Sequence, residues 1–120
     1  MKNYSKFLGI IAFLAIIGLI LTGCGRRSPS LRVVNKNDEP IHYVEVWGLA
    51  DVGGKFYGLN IVKGSSQTFT LSEEWDDYNA TVSVDFGVHS ASIEQRYGGV
   101  HLRGGEIVTV TLTKDGNLVE

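Results

Sequence analysis

The chain has 120 residues, a length that accommodates one modest domain and no second, and its 11 basic against 13 acidic side chains leave a net charge of −2. Without a basic excess it lacks the electrostatic footprint that phosphate backbones require, so nucleic acid is excluded as a partner. The single cysteine, Cys24, excludes an internal disulfide and any zinc site built from several thiolates.

The chain opens with Lys2 and Lys6 followed by FLGIIAFLAIIGLIL, an uncharged apolar run over 7–21. A positive start and an apolar core of this length are the marks of a cleavable signal segment. As a helix at ~1.5 Å per residue the run covers only about 22 Å, against roughly 30 Å of bilayer hydrocarbon, so it is short for a permanent span. Directly after it stand Leu21, Thr22, Gly23 and Cys24. This quartet resembles the bacterial lipobox: a branched apolar residue, two small residues and an acceptor cysteine. The resemblance implies that diacylglycerol joins the Cys24 thiol, that the chain is cut between Gly23 and Cys24, and that the new amino terminus is acylated. The residue types suit that chemistry, since a thiol is the strongest nucleophile on offer and small neighbours admit a peptidase. The competing reading is an uncleaved anchor helix with Cys24 incidental, which Arg26 and Arg27 on its far side disfavour by weakening the charge asymmetry that would orient it. The expected division is therefore a signal peptide over 1–23, a lipidated cysteine with a short linker over 24–30, and a domain over 31–120. Removal of 1–23 takes away two lysines and no acid, leaving nine basic and 13 acidic residues. Two or more acyl chains, at ~0.8 kcal/mol per buried methylene, hold a protein stably on a bilayer. The expected address is a cell membrane or outer membrane, with the domain outside the cytoplasm. Gly25 stands where an aspartate would resemble an inner-membrane retention signal.

From Leu31 onward the apolar pattern has period two, interrupted by turn residues about every eight to twelve positions. It predicts strands over 31–36 and 41–47 around the turn Asp38-Glu39-Pro40, a third through Thr68, Phe69, Thr70 and Leu71, and others over 80–86 and 107–112. Shorter candidates fall at 59–62, 91–97 and 100–103. Turns are predicted at Lys63-Gly64, Gly98-Gly99, Gly104-Gly105 and Asp115-Gly116, where glycine adopts positive φ at little cost. No helix is predicted outside the leader. About seven antiparallel strands in some 90 residues give an all-β sandwich. The stretches LRVVNKNDEPIHYVEVWG, IVKGSSQTFTL, YNATVSVDF and LRGGEIVTVTL resemble the small immunoglobulin-like or transthyretin-like sandwich modules of bacterial exported proteins. The resemblance implies a sandwich and brings no catalytic residues with it.

Catalytic motifs are missing: there is no Gly-x-Ser-x-Gly elbow, no His-Glu-x-x-His, no dinucleotide fingerprint and no phosphate loop. The expectation is a protein that is not an enzyme and carries no cofactor beyond the lipid on Cys24. His42, His89 and His101 have no short metal-ligand spacing. Glu73, Glu74, Asp76 and Asp77 surround Trp75, and clustered carboxylates suit Ca²⁺, but the run lacks the alternation and glycine of a calcium loop. A solvated acidic loop with Trp75 folded back over the end of the sandwich fits the pattern better. The irregular stretch 48–58 follows Trp47 and contains Phe56 and Tyr57. With Trp75, these aromatics form the candidate binding surface, against the alternative that they close the core. The expected function is a binding or structural module of the cell envelope, held to a membrane through its lipid. The alternatives are an accessory subunit that offers an exposed sheet edge to an envelope protein, and a calcium-dependent module.

Overall fold

The computed structural model describes residues 27–49, 53–88 and 91–120. The expected leader, the quartet Leu21 to Cys24 and His89 lie outside the described residues.

Eight strands follow one another: β1 (Ser30–Asn35), β2 (Ile41–Trp47), β3 (Lys55–Phe56), β4 (Ser66–Thr70), β5 (Tyr78–Phe86), β6 (Ile93–Leu102), β7 (Ile107–Leu112) and β8 (Leu118–Val119). They form two four-stranded sheets, ordered β4-β1-β7-β8 and β3-β2-β5-β6. Alternation along each strand sends one set of side chains between the sheets. Leu31, Val33, Val110 and Leu112 meet Val44, Val46, Val82, Val84, Val100 and Leu102 in a β-sandwich core. On the outer sides stand Arg32, Thr109 and Thr111 of one sheet and Tyr43, Glu45, Ser83 and Asp85 of the other.

Several details differ from the period-two expectation. The first sheet is mixed: β1 pairs antiparallel with β4 but parallel with β7, from Ser30 opposite Ile107 to Asn35 opposite Leu112. Alternation is the same in both kinds of ladder, so it could not tell them apart. The segments 91–97 and 100–103 are one strand, because Gly98-Gly99 forms a bulge rather than a turn. Ala80 faces Val100 and Val82 faces Tyr97, so β6 carries one residue more than β5 across that interval. The stretch 59–62 contributes only a bridge from Ile61 to Ile41. In its place the short strands β3 and β8, two residues each, complete the sheets; such pieces are too brief to leave a periodic trace. Residues Glu73–Trp75 make one 3-10 turn, its first turn capped by the Ser72 hydroxyl, which accepts from the Glu74 amide at 3.4 Å.

The sandwich has two distinct ends. At the near end, where β1 begins, the Leu71 amide donates to the Pro29 carbonyl at 2.9 Å and the Gly105 amide to that of Ser28 at 3.1 Å. Gly104 lies so close to the Arg27 backbone that a Cβ there would overlap it. Trp75 plugs this end with no exposed surface, its ring edge-on to Tyr78 at 5.5 Å. At the far end, where β1 gives way to β2, Asn35 is fully buried. Its Nδ2 donates to the carbonyls of Glu39 and Ile61, both at 2.8 Å, and its Oδ1 accepts from the Asn37 amide at 2.8 Å. Asn37 continues the stitching, donating to the carbonyls of Thr113 and Lys114 at 3.2 and 3.1 Å.

Candidate binding groove

The outer face of the β3-β2-β5-β6 sheet carries the concentration of aromatic and charged groups. In β2, the alternation that buries Val44 and Val46 turns Tyr43, Glu45 and Trp47 outward. Opposite them on β5 stand Asp85, Ser83 and Thr81, and beyond these on β6 stand Glu94, opposite Asp85, and Arg96, opposite Ser83. The Trp47 Nε1 donates to the Ser83 hydroxyl at 2.9 Å, and the Arg96 guanidinium lies 4.6 Å from the indole centroid. Arg96 also pairs with Glu94 and Lys55 with Glu45, the latter at 3.8 Å.

Toward the far end this face opens into a groove of about 610 Å³ lined by His42, Tyr43, Tyr57, Gly58, Leu59 and Asp85. A shallower hollow of about 380 Å³ adjoins it and shares His42 and Leu59. The groove owes its shape to a bulge. Between the pairs Ile41–Phe86 and Tyr43–Asp85, β2 advances two residues while β5 advances one, so His42 is the extra residue. A bulge of this kind re-aims a side chain out of the regular alternation. The His42 carbonyl accepts from the Leu59 amide at 3.1 Å, which holds the 57–59 stretch as the groove wall. Tyr57 packs on Tyr43 with ring centroids 4.7 Å apart and an interplanar angle of 37°.

Electrostatics single out Asp85. Its Oδ1 is sealed from solvent and has no hydrogen-bond partner among the described residues. Burial, then the charge of Glu94, push its carboxyl above the ordinary value of 3.8; Glu45 adds to this, while His42 and Arg96 oppose it. The Tyr43 phenol is raised well above its usual range, by burial first and then by hydrogen bonding with Tyr57 and Glu45. Tyr43 is therefore a neutral donor and packing surface at every physiological pH.

The four aromatics of the candidate surface separate. Tyr57 is 68% exposed and belongs to the groove. Trp47 is half-exposed on the same face, four register positions away from Asp85's row. Phe56 turns inward, its ring 4.4 Å from that of Phe69 between the sheets. Trp75 is wholly buried and offers no contact surface: it folds back into the end of the sandwich, as the solvated-loop reading expects, and does not join the candidate surface. Gly54 is needed there, because a Cβ would meet the Val46 carbonyl and crowd the Trp75 ring.

The acidic loop spends much of its charge on the protein itself. Asp76 Oδ1 accepts from the Gly104 amide at 2.7 Å, and Asp77, at a positive φ of 56°, pairs with the His101 Nε2 at 2.7 Å. The other His101 ring nitrogen lies 3.0 Å from the Asn79 side-chain oxygen. Glu73 and Glu74 remain at the surface. Among the described residues, no three His, Cys, Asp or Glu side chains are grouped to hold a metal ion. None of their helices is long and apolar enough to cross a membrane.

Tyr43 and Asp85 were not among the site residues expected from the sequence, and His42 entered only as a histidine without metal-ligand spacing. A signal existed, since a tyrosine and a carboxylate both fall on the wet positions of strands whose other positions are valine. What the sequence does not carry is the β2–β5 register and the bulge that bring them together.

No family model and no curated protein matches the chain. Among solved structures, the chain is similar to an NMR structure of a protein from Eubacterium rectale, with a TM-score of 0.48 and 14% identity over 80% of this chain and 90% of that one.

Proposed function

We propose that this chain is a bacterial lipoprotein: a non-enzymatic binding module of the cell envelope, tethered through lipid on Cys24 and built on an immunoglobulin-like or transthyretin-like sandwich. The observation that carries the reading is the Leu21-Thr22-Gly23-Cys24 quartet directly after an apolar run too short to span a bilayer. The layout of the domain supports it. The chain enters the sandwich at the near end, beside Gly104, while the groove opens toward the far end. The six residues of β1 separate the two ends by about 20 Å. A tether on Cys24 then leaves the groove turned away from the bilayer and open to the surrounding compartment.

Labelled palmitate is expected to enter the protein, and Cys24→Ser to abolish both labelling and cleavage and to move the protein between fractions. Unchanged processing and fractionation of the Cys24→Ser chain would overturn the lipoprotein reading. A second reading, an accessory subunit that pairs through a sheet edge, draws on β4. This edge strand, SQTFT, carries no charge, proline or bulge of the kind that guards edges against pairing, whereas the edge strand β6 has Glu94, Arg96 and the Gly98-Gly99 bulge. Cross-linking in membranes through a cysteine at Gln67 should then trap a partner; recovery of monomer alone would dismiss it.

A further inference from the structure

The groove pairs two kinds of surface that rarely meet without a reason. One wall is aromatic, with Tyr57 largely exposed against Tyr43. The floor carries the Asp85 carboxylate, with His42 on the same lining and with Glu45 and Glu94 flanking Asp85 on the adjacent strands outside the groove. Two of these carboxylates have a basic partner on the same face, Glu45 in Lys55 and Glu94 in Arg96. Asp85, the one that lines the groove, is partly exposed; its Oδ1 is sealed beneath the surface without a hydrogen-bond partner among the described residues, so a ligand would meet the other oxygen of the carboxylate. Burial and the flanking acids disfavour its charge by more than His42 and Arg96 favour it, so an arriving positive charge would relieve a cost that remains in the folded protein.

We propose that the groove binds a small organic ammonium ion, with its carbon stem against the Tyr43 and Tyr57 rings and Leu59 and its charge against the Asp85 carboxylate. Aromatic faces attract cations, and a carboxylate beside them supplies the charge-assisted hydrogen bond. A volume of about 610 Å³ is of the size that small-molecule sites occupy and holds an alkylammonium stem or an amino-sugar ring. A neutral sugar would use the rings but leave the acid uncompensated. An anion would meet the Asp85 carboxylate. This inference rests on the reading of the domain as a binding module and is independent of the lipid on Cys24.

The test is an amide-shift titration of the full-length protein in detergent micelles with n-butylammonium chloride, at constant ionic strength, with glucosamine as a second arm and n-butanol and N-acetylglucosamine as neutral controls. Saturable shifts at residues 42, 43, 57 and 85 with the two amines, and none with the neutral compounds, are expected; the stronger amine distinguishes an aliphatic from a sugar ligand. Asp85→Asn, which keeps the shape and removes the charge, should weaken binding about tenfold or more, and Tyr57→Ala several-fold. Equal binding by Asp85→Asn, or equal response to n-butanol, would overturn the proposal. Binding of N-acetylglucosamine without either amine would also overturn it while leaving the binding-module reading intact. Absence of any saturable shift would overturn the proposal without touching the lipoprotein reading, which palmitate labelling decides.

Discussion

The two ends of the sandwich are closed by opposite means. At the near end one large apolar side chain, Trp75, fills the gap between the sheets, and the backbone around it adapts, with Gly54 giving it room. At the far end the work is done by two amides: Asn35 and Asn37 tie the β1–β2 turn to Glu39, Ile61, Thr113 and Lys114. An aromatic plug brings a large apolar surface with only one N–H donor and occupies the opening. A hydrogen-bonded closure holds the loops together from within and leaves the surface above it concave. The groove lies on the outer sheet face toward the end closed in the second way, where the extra residue at His42 shapes it.

The comparison can be broken most severely at the plug. Trp75→Ala should cost about 3–5 kcal/mol, a large share of the roughly 5–15 kcal/mol that holds a domain folded, as read by urea unfolding. At the stitched end, Asn35→Ala strands the Asn37 amide and removes a donor from two carbonyls, one of them buried beside Ile61. The expected loss is about 2 kcal/mol. Hydrogen exchange should show it concentrated in the loops around 37–40 and 61–65, whereas loss of the plug should accelerate exchange through the whole core.

In the groove the sign reverses. Because the Asp85 carboxyl is raised in the folded protein, folding favours its protonated form. The contribution of Asp85 to stability is therefore greatest below 3.8, falls as pH rises from there through the elevated folded value, and stays at the lower level above it. Asp85→Asn should stabilise the protein at pH 7 by less than about 1 kcal/mol, since solvent screens much of the effect, and the gain should vanish below pH 3.8 in thermal melts. The smallest effect belongs to the Lys63–Asp38 pair at 2.6 Å on the surface of the far end. Hydrogen bonding to Lys63, then its charge, hold the Asp38 carboxyl below its ordinary value. Lys63→Gln should return it toward that value by NMR titration and leave Tm unchanged.

Much of the frame was legible in the sequence. Valines alternating with Thr, Ser and Asp over Tyr78–Phe86, and with Thr over Ile107–Leu112, reported strands with one wet face because side chains point to opposite sides at successive positions. The pattern was silent where the physics is non-local. Nothing in Ser30–Asn35 states that it will lie parallel to Ile107–Leu112, and two-residue strands such as Lys55–Phe56 exist only because a partner is already in place. Gly98-Gly99 read as a turn because positive φ serves a bulge and a turn equally. The groove was hidden for the same reason: Tyr43, Tyr57 and Asp85 are separated in the chain and joined by register, while His42 owes its position to a single extra residue.

The position of β1 has a mechanical consequence. It lies between β4 and β7, bonded on both sides, and its entry is tied down by the amides of Leu71 and Gly105. Tension applied through the amino-terminal side runs along the strand axis and loads two ladders in shear at once, so many bonds must yield together rather than peel one after another. Pulled from this side, the sandwich resists unfolding, and its rupture force rather than its melting temperature is the quantity that such an arrangement raises.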